Sequence, residues 1–366
     1  MNKNLKNNNL SIIPKTESIK YIGSKLKMLP YILRTISSLN DINTILDAFS
    51  GTTRVSQALS QLGYNTDCND ISVLSECLGK CYLLANNDYN YYSEIITHLN
   101  NLKPEYGWFS ENYGGKEDEQ KKPFQLKNTM KLDAIRNEID NLNLSENDKC
   151  VIITSLLLAL DKVDSTIGHF SSYLKKWSKR SYLDLYLEVP NKFEIKTKNN
   201  VFKEDVFSVV KKHHDLVYFD PPYGSNNEKM PASRVRYDAY YHFWKTVILN
   251  DRPELFGKVN RRIDSKDNVN PSVFESFRKN TENEYEALEA IKKLVEETNA
   301  HYILLSYNSN GRATERELIS MLNNTGQLLN IFSIDYKKNV MSNMCWTNNW
   351  KSENNKNKEF LFLLER

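Results

Sequence analysis

Between Thr44 and Asp70 the chain spells one supersecondary unit, and that unit limits the fold more than any other feature. Thr44-Ile45-Leu46-Asp47-Ala48-Phe49 reads as a short strand broken by Ser50-Gly51. Val55, Ala58, Leu59 and Leu62 then recur at helical spacing. Gly63 stands where a left-handed helix cap is least costly. A second strand leads to Asp70. Strand, glycine turn, helix, strand and acid make a βαβ unit, which begins a doubly wound α/β sheet.

The rest of the chain extends that sheet. A helix is expected over Lys25–Leu39, and residues 1–18 read as a frayed polar leader without a signal-peptide pattern. Strand-like segments resume near Val201–Phe202 and at Asp215–Phe219, His301–Ser306, Leu328–Asp335 and Glu359–Leu364. Two strands early and five late predict seven. The last two are joined by a loop too short and polar for a crossover helix, so they pair antiparallel. Tyr285–Thr298 reads as a helix with Leu288, Ile291, Leu294 and Val295 on one face.

Residues 81–199 lack intervening strands. They hold aromatic, polar loops (Glu105–Pro123) and helices, one of them Val151–Val163 behind a capping pair, Ser145 and Asp148. This stretch reads as a mainly helical insertion, 81–199, into a domain formed by 1–80 and 200–366. A chain of 366 residues has room for both parts.

Composition removes several alternatives. Lys+Arg 49 against Asp+Glu 46 gives a formal charge of +3, which excludes a histone-like basic protein but not a local nucleic-acid patch. Cys68, Cys77, Cys81, Cys150 and Cys345 are odd in number and have no CxxC spacing, so neither a disulfide framework nor a zinc site is expected. Cys77 and Cys81 read as small buried hydrophobes. The paired His213–His214 lacks Cys or acidic partners at metal spacing, so no metal is expected. The longest apolar run, Val151–Leu160, is about half of what spans a bilayer. The expectation is a soluble, cytoplasmic protein with no membrane partner.

The chemistry concentrates in Asp220-Pro221-Pro222-Tyr223, straight after a buried-type strand. Ligands of open α/β sheets bind at the carboxyl ends of strands. Two prolines fix φ and remove two backbone donors, which leaves carbonyls free to accept. A carboxylate beside a fixed carbonyl offers two acceptors to the two donors of an NH2 group. The adjacent aromatic offers a face to a flat base. Asp47-Ala48-Phe49-Ser50-Gly51-Thr52-Thr53 resembles a nucleotide-cofactor loop. The pyrophosphate fingerprint GxGxxG is absent, and an uncharged or cationic cofactor does not need it. Asp70 lies 23 positions after Asp47, where an acid reaches ribose hydroxyls in doubly wound folds.

With Tyr21-Ile22-Gly23-Ser24-Lys25 in front, these strings resemble the DNA adenine-N6 methyltransferases of the alpha group, the DNA adenine methylase family. An aromatic-x-G-x-K string, an acid-x-F-x-G loop, an acid at the second strand's end, a target-recognition insertion and DPPY occur here in the family's order. The resemblance covers roughly 19–80 and 200–366. It implies a seven-stranded Rossmann-like sheet, S-adenosylmethionine as cofactor with S-adenosylhomocysteine as product, and duplex DNA as partner. It also implies a restriction-modification context. A cognate restriction endonuclease is a partner that this context allows and no residue here encodes. Tyr21 and Lys25 would belong to the cofactor site and its rim. Asp47, Phe49 and Gly51 would cradle the methionine end, Asp70 the ribose, and Asp205 would lie near the cofactor's adenine. Asp220 and Pro221 would hold the target amino group, with Pro222 stiffening the loop, Tyr223 stacking on the base, and Asp220 also bordering the cofactor. Thr53 departs from the pattern, since many relatives carry a second glycine there.

The alternatives weighed are a cytosine-N4 DNA enzyme, an adenine-N6 RNA enzyme and a catalytically inactive DNA-binding relative. Asp rather than Ser or Asn before PPY, together with the large insertion, favours DNA adenine. Intact Asp70 and Asp220 argue against an inactive protein. Phosphate contacts are expected from Lys175, Lys176, Lys179 and Arg180, and from a second basic spot, Lys258, Arg261 and Arg262. Tyr240, Tyr241, His242, Phe243 and Trp244 are candidates either for a base-pocket wall or for core.

Overall fold

The structure is a computed structural model and describes residues 12–116, 122–193, 196–225, 237–266, 272–336 and 357–366. Cys345 and residues 1–11 of the leader lie outside the described residues. Seven strands form the principal sheet: β1 (Thr44–Asp47), β2 (Asn65–Asn69), β3 (Asn200–Phe202), β4 (His214–Phe219), β5 (Ala300–Asn308), β6 (Gln327–Tyr336) and β7 (Asn357–Glu365). Their order is β6-β7-β5-β4-β1-β2-β3. The pairs β1–β4, β4–β5 and β2–β3 are parallel, whereas β7 is antiparallel to both β5 and β6. This is the expected seven-stranded α/β sheet with its antiparallel final pair. No helix among the described residues is long and apolar enough to cross a membrane.

Contacts divide the chain into two units, 1–40, 50–204 and 236–269 in the first and 41–49, 205–235 and 270–366 in the second. The second unit owns β1 and β4–β7. Leu216–Phe219, Ile303–Tyr307 and Phe360–Leu364 are buried, as apolar runs on sheets covered on both faces should be. The helix α7 (Glu286–Glu297) buries Leu288, Ile291, Leu294 and Val295, the apolar face read from its spacing.

In the first unit, residues 16–18 are pinned rather than frayed. Arg54 donates to the carbonyls of Thr16 and Ser18. Gln57, fully buried on α2 (Arg54–Gln61), exchanges two hydrogen bonds with the main chain of Glu17. A polar residue inside a helix can be buried only when so paired. The helix expected from Lys25 starts later. Lys25–Lys27 form a 3-10 turn, and α1 (Leu29–Ser37) follows with Pro30 in its first turn, where a missing N–H costs nothing. Gly63 ends α2 at φ +94°, as its position predicts.

Residues 81–199 contribute α3 (Trp108–Tyr113), α4 (Leu126–Asn141) and α5 (Glu146–Val163). Ser145 caps α5 by accepting from the Asp148 N–H at 3.2 Å. The aromatic run 240–244 lies on α6 (Tyr237–Leu249). Phe243 packs against Phe109, Tyr113, Phe124 and Phe170, so its role is core. The buried Arg136 of α4 closes the end of α6 by donating to the carbonyls of Val247 and Ile248.

Asp133 organises this unit locally. Its buried carboxylate accepts from the N–H groups of Gly107, Phe109 and Ser110 and from the Ser110 hydroxyl, which satisfies the open N-terminus of α3. Asp133→Ala strands four donors, three of them in buried bonds. It should cost about 3 kcal/mol or more, read as a lower urea midpoint at unchanged m-value. A variant within about 0.5 kcal/mol of wild type contradicts this assignment.

Candidate active site

In the second unit β1 and β4 run parallel with Asp47 opposite Tyr218, and the Ala48 N–H continues the ladder to the Tyr218 carbonyl. Parallel strands end on the same edge of a sheet. Asp47, the last residue of β1, and Asp220, just past the end of β4, therefore emerge side by side. Asp47 is buried, and Phe49 beyond it packs edge-on against Phe219 and Phe274. His213 and His214 lie at the opposite end of β4.

The loop after β4 is held through Tyr223. Its hydroxyl contacts Asp220 Oδ1, Glu359 Oε1 at 2.7 Å and Ser306 Oγ at 3.2 Å. Burial, then the charges of Asp220 and Glu359, push the phenol well above its ordinary range, so it remains protonated. Behind it, the Arg312 N–H donates to the Tyr223 carbonyl at 2.8 Å and the Arg312 guanidinium to the Ser225 carbonyl. Gly224 takes φ +62°, and a Cβ there would stand 2.8 Å from Arg312 Cγ, so glycine is required. Pro221 is buried beneath the loop and Pro222 half-buried.

Sequence reasoning assigned Tyr223 a ring and no hydroxyl role. It named Ser306 and Glu359 only as ends of strands and gave neither a part in the site. The available signal was a charged residue opening an otherwise apolar strand, Glu359-Phe-Leu-Phe-Leu-Leu.

In the first unit the glycine turn, the second acid and the N-terminal string come together. Gly51 takes φ +49°, and its N–H donates to Asp70 Oδ2 at 2.9 Å. Asp70 Oδ1 accepts from the Ser72 N–H. Burial raises the Asp70 carboxyl above its usual range against the pull of these two bonds and of a third from the Ser75 side chain, and nearby Asp238 raises it further. Tyr21 stacks on Tyr241 at 4.3 Å and on Tyr237 at 5.4 Å, and its Cε1 lies 3.7 Å from the Gly51 Cβ position. The Tyr241 hydroxyl accepts from the Ile22 N–H, and α6 is bent at Tyr241 where it does so. Lys25 is buried at the start of the 3-10 turn.

These residues could hold a nucleoside-bearing cofactor. Asp70 also accepts from the Ser75 hydroxyl, and carboxylate oxygens have lone pairs left after three bonds; the buried Ser50 hydroxyl has no hydrogen-bond partner among the described residues. Asp205 is exposed and caps the short helix Val206–Val209 through the Phe207 N–H. Ordinary helix capping accounts for that contact.

The basic candidates divide. Lys175, Lys176, Lys179 and Lys258 are exposed. Arg180 is spent on Asp164 and on the carbonyls of Asp164 and Thr166. Arg262 is 3% exposed and clamped by Asp251 and Asp264. Arg261 donates to the Ser265 carbonyl and lies over the Phe256 ring.

Residues 21–308 match the profile of the D12 class N6 adenine-specific DNA methyltransferase family. The chain is 29% identical to the modification methylase StsI of Streptococcus sanguinis, over 95% of this chain and 52% of that protein. It is 26% identical to the type II methyltransferase M.FokI of Planomicrobium okeanokoites, over 95% and 53%. It thus spans about half the length of these two relatives. It is 25% identical to the type II methyltransferase M.NlaIII of Neisseria lactamica, over 95% and 99%.

Thr53, the departure from the expected glycine, takes the glycine conformation all the same. Its φ is +59°, it is fully buried, and its hydroxyl accepts from Gln57 Nε2 at 3.0 Å. A β-branched residue there is strained. Thr53→Gly and Thr53→Ala both delete that hydroxyl, and only Ala keeps the Cβ clash. The Gly variant should therefore be the more stable of the two by about 1 kcal/mol in urea unfolding. Equal stability, or a more stable Ala variant, contradicts the left-handed turn.

Proposed function

Because the chain belongs to the D12 class N6 adenine-specific DNA methyltransferases, we propose that it transfers a methyl group from S-adenosylmethionine to N6 of an adenine flipped out of duplex DNA. We assign it to the modification side of a restriction-modification system, acting at a specific sequence in the cytoplasm. Residues 81–199 are its target-recognition insertion. The observation that carries this reading is Asp220-Pro221-Pro222-Tyr223, placed directly after β4 beside the carboxyl end of β1.

The chemistry follows from what those residues can accept. An exocyclic amino group is a poor nucleophile because its lone pair is conjugated with the ring. Asp220 and the Pro221 carbonyl accept its two hydrogens, which favours a pyramidal nitrogen and stabilises positive charge developing on it. Pro222 fixes the loop so that this carbonyl does not wander. Tyr223 presents its ring to the base. Extrahelical binding costs a few kcal/mol of lost stacking and pairing, which such contacts offset. Bound S-adenosylmethionine supplies a methyl group made electrophilic by its sulfonium sulfur. Tyr21, Lys25, Asp47, Phe49, Gly51 and Asp70 are the residues proposed to hold it, with Asp220 at its border. Asp205 is kept as an adenine neighbour. Positioning and electrostatics then suffice without a covalent enzyme intermediate.

Transfer of labelled methyl from S-adenosylmethionine into duplex DNA tests the reading. Asp220→Ala should lower turnover roughly 100- to 1000-fold while circular dichroism stays unchanged. Near-normal turnover by that folded variant removes DPPY from the catalytic role.

The exposed lysines yield a second expectation. Lys175, Lys176 and Lys179 replaced by Ala should weaken binding to target and non-target duplexes alike. The slope of log affinity against log salt should flatten by about 0.9 per lost phosphate contact. An unchanged slope means the DNA track lies elsewhere. Arg262, clamped by two carboxylates, should leave that slope unaltered when it is changed to Lys.

A further inference from the structure

We propose that Glu359 is a positioning residue for methyl transfer, acting on Asp220 through the hydroxyl of Tyr223. The proposal rests on the functional reading above.

The Tyr223 oxygen lies within hydrogen-bond reach of Asp220 Oδ1 and, at 2.7 Å, of Glu359 Oε1. Carboxylates only accept, and a phenol has one proton to give. The single hydroxyl proton is therefore divided between two acceptors, so the placing of one carboxylate governs how the hydroxyl holds the other.

The surroundings hold Glu359 in that position. It sits near the start of β7, paired in register with Asn308 of β5, and is 4% exposed. Asn308 Nδ2 donates to Oε2 at 3.0 Å, and Ser306 Oγ donates to Oε1 at 3.1 Å. Both partners lie on the rigid central strand of the second unit. Ser306 also stands 3.2 Å from the Tyr223 oxygen, which closes a small ring of contacts. The Tyr307 ring, 4.8 Å from that of Tyr223, sets the tilt of the phenol.

A carboxylate brought in from the last strand, 136 residues away in sequence, thus fixes where the Tyr223 oxygen stands. Through it, Glu359 fixes the rotamer of Asp220 and how strongly that carboxylate attracts hydrogen from a substrate amino group. Glu359 touches neither substrate nor cofactor in this account. Its effect belongs in kcat, because the developing charge on the amino nitrogen is what a well-aimed Asp220 stabilises. Duplex and cofactor binding do not require it.

The test is a double-mutant cycle in single-turnover and steady-state methylation. Glu359→Gln keeps size and hydrogen-bonding capacity but loses the acid. It should lower kcat about 10- to 100-fold, with KM for duplex and affinity for S-adenosylmethionine within about twofold of wild type. Tyr223→Phe should cost about the same. The double variant should be no worse than either single one, since the second change removes a link already cut. Wild-type kcat in Glu359→Gln overturns the proposal. So do losses that multiply in the double variant, and so does a rise in KM with kcat unchanged. Wild-type protein that methylates no DNA overturns the functional reading itself, and the proposal falls with it.

Discussion

The parallel ladder between β1 and β4 is the constraint on which the rest depends. Ile45, Leu46 and Asp47 stand opposite Leu216, Val217 and Tyr218. The apolar members of both strands are buried, β1 ends on an acid, Asp47, and β4 runs out into a loop that opens with one, Asp220. Burial fixes the register, because a slip of one residue would turn every side chain to the opposite face. Parallel direction then brings both acids to one edge. Neither acid has to be placed there by its own contacts.

What was legible in the sequence was what depends on neighbours in sequence. The change of hydrophobic period between Thr44 and Asp70 gave the first strand, α2 and the second strand. Gly63 marked its left-handed cap, and Ser145 with Asp148 marked the start of α5. DPPY was visible because a proline pair after an apolar strand is chemically unusual. Residue roles set by distant partners were not visible. Arg262 reads as a free cation beside Arg261, yet Asp251 and Asp264 clamp it. Residues 16–18 read as a polar leader, yet Arg54 and Gln57 pin them. No local pattern announces that Glu359 faces Tyr223 across 136 positions.

The two acids at the ends of β2 and β4 work differently. Asp70 accepts from the Gly51 and Ser72 N–H groups, so it shapes the glycine turn. Asp220 is fixed by a side chain three residues on, within a loop braced by Arg312. Changing Asp70 therefore perturbs the backbone, whereas the role proposed for Asp220 is chemical. Thr53 shows how far the turn is dictated by its surroundings: a residue that disfavours positive φ adopts it where the helix must begin.

The most direct measurement is the identity of the modified base. Duplex DNA containing all four bases is incubated with the protein and S-adenosylmethionine, digested to nucleosides and resolved by mass spectrometry. The account predicts N6-methyldeoxyadenosine, absent when S-adenosylmethionine is omitted and with RNA in place of DNA. N4-methyldeoxycytidine, methylated RNA, or no methylated nucleoside from the folded protein would contradict it.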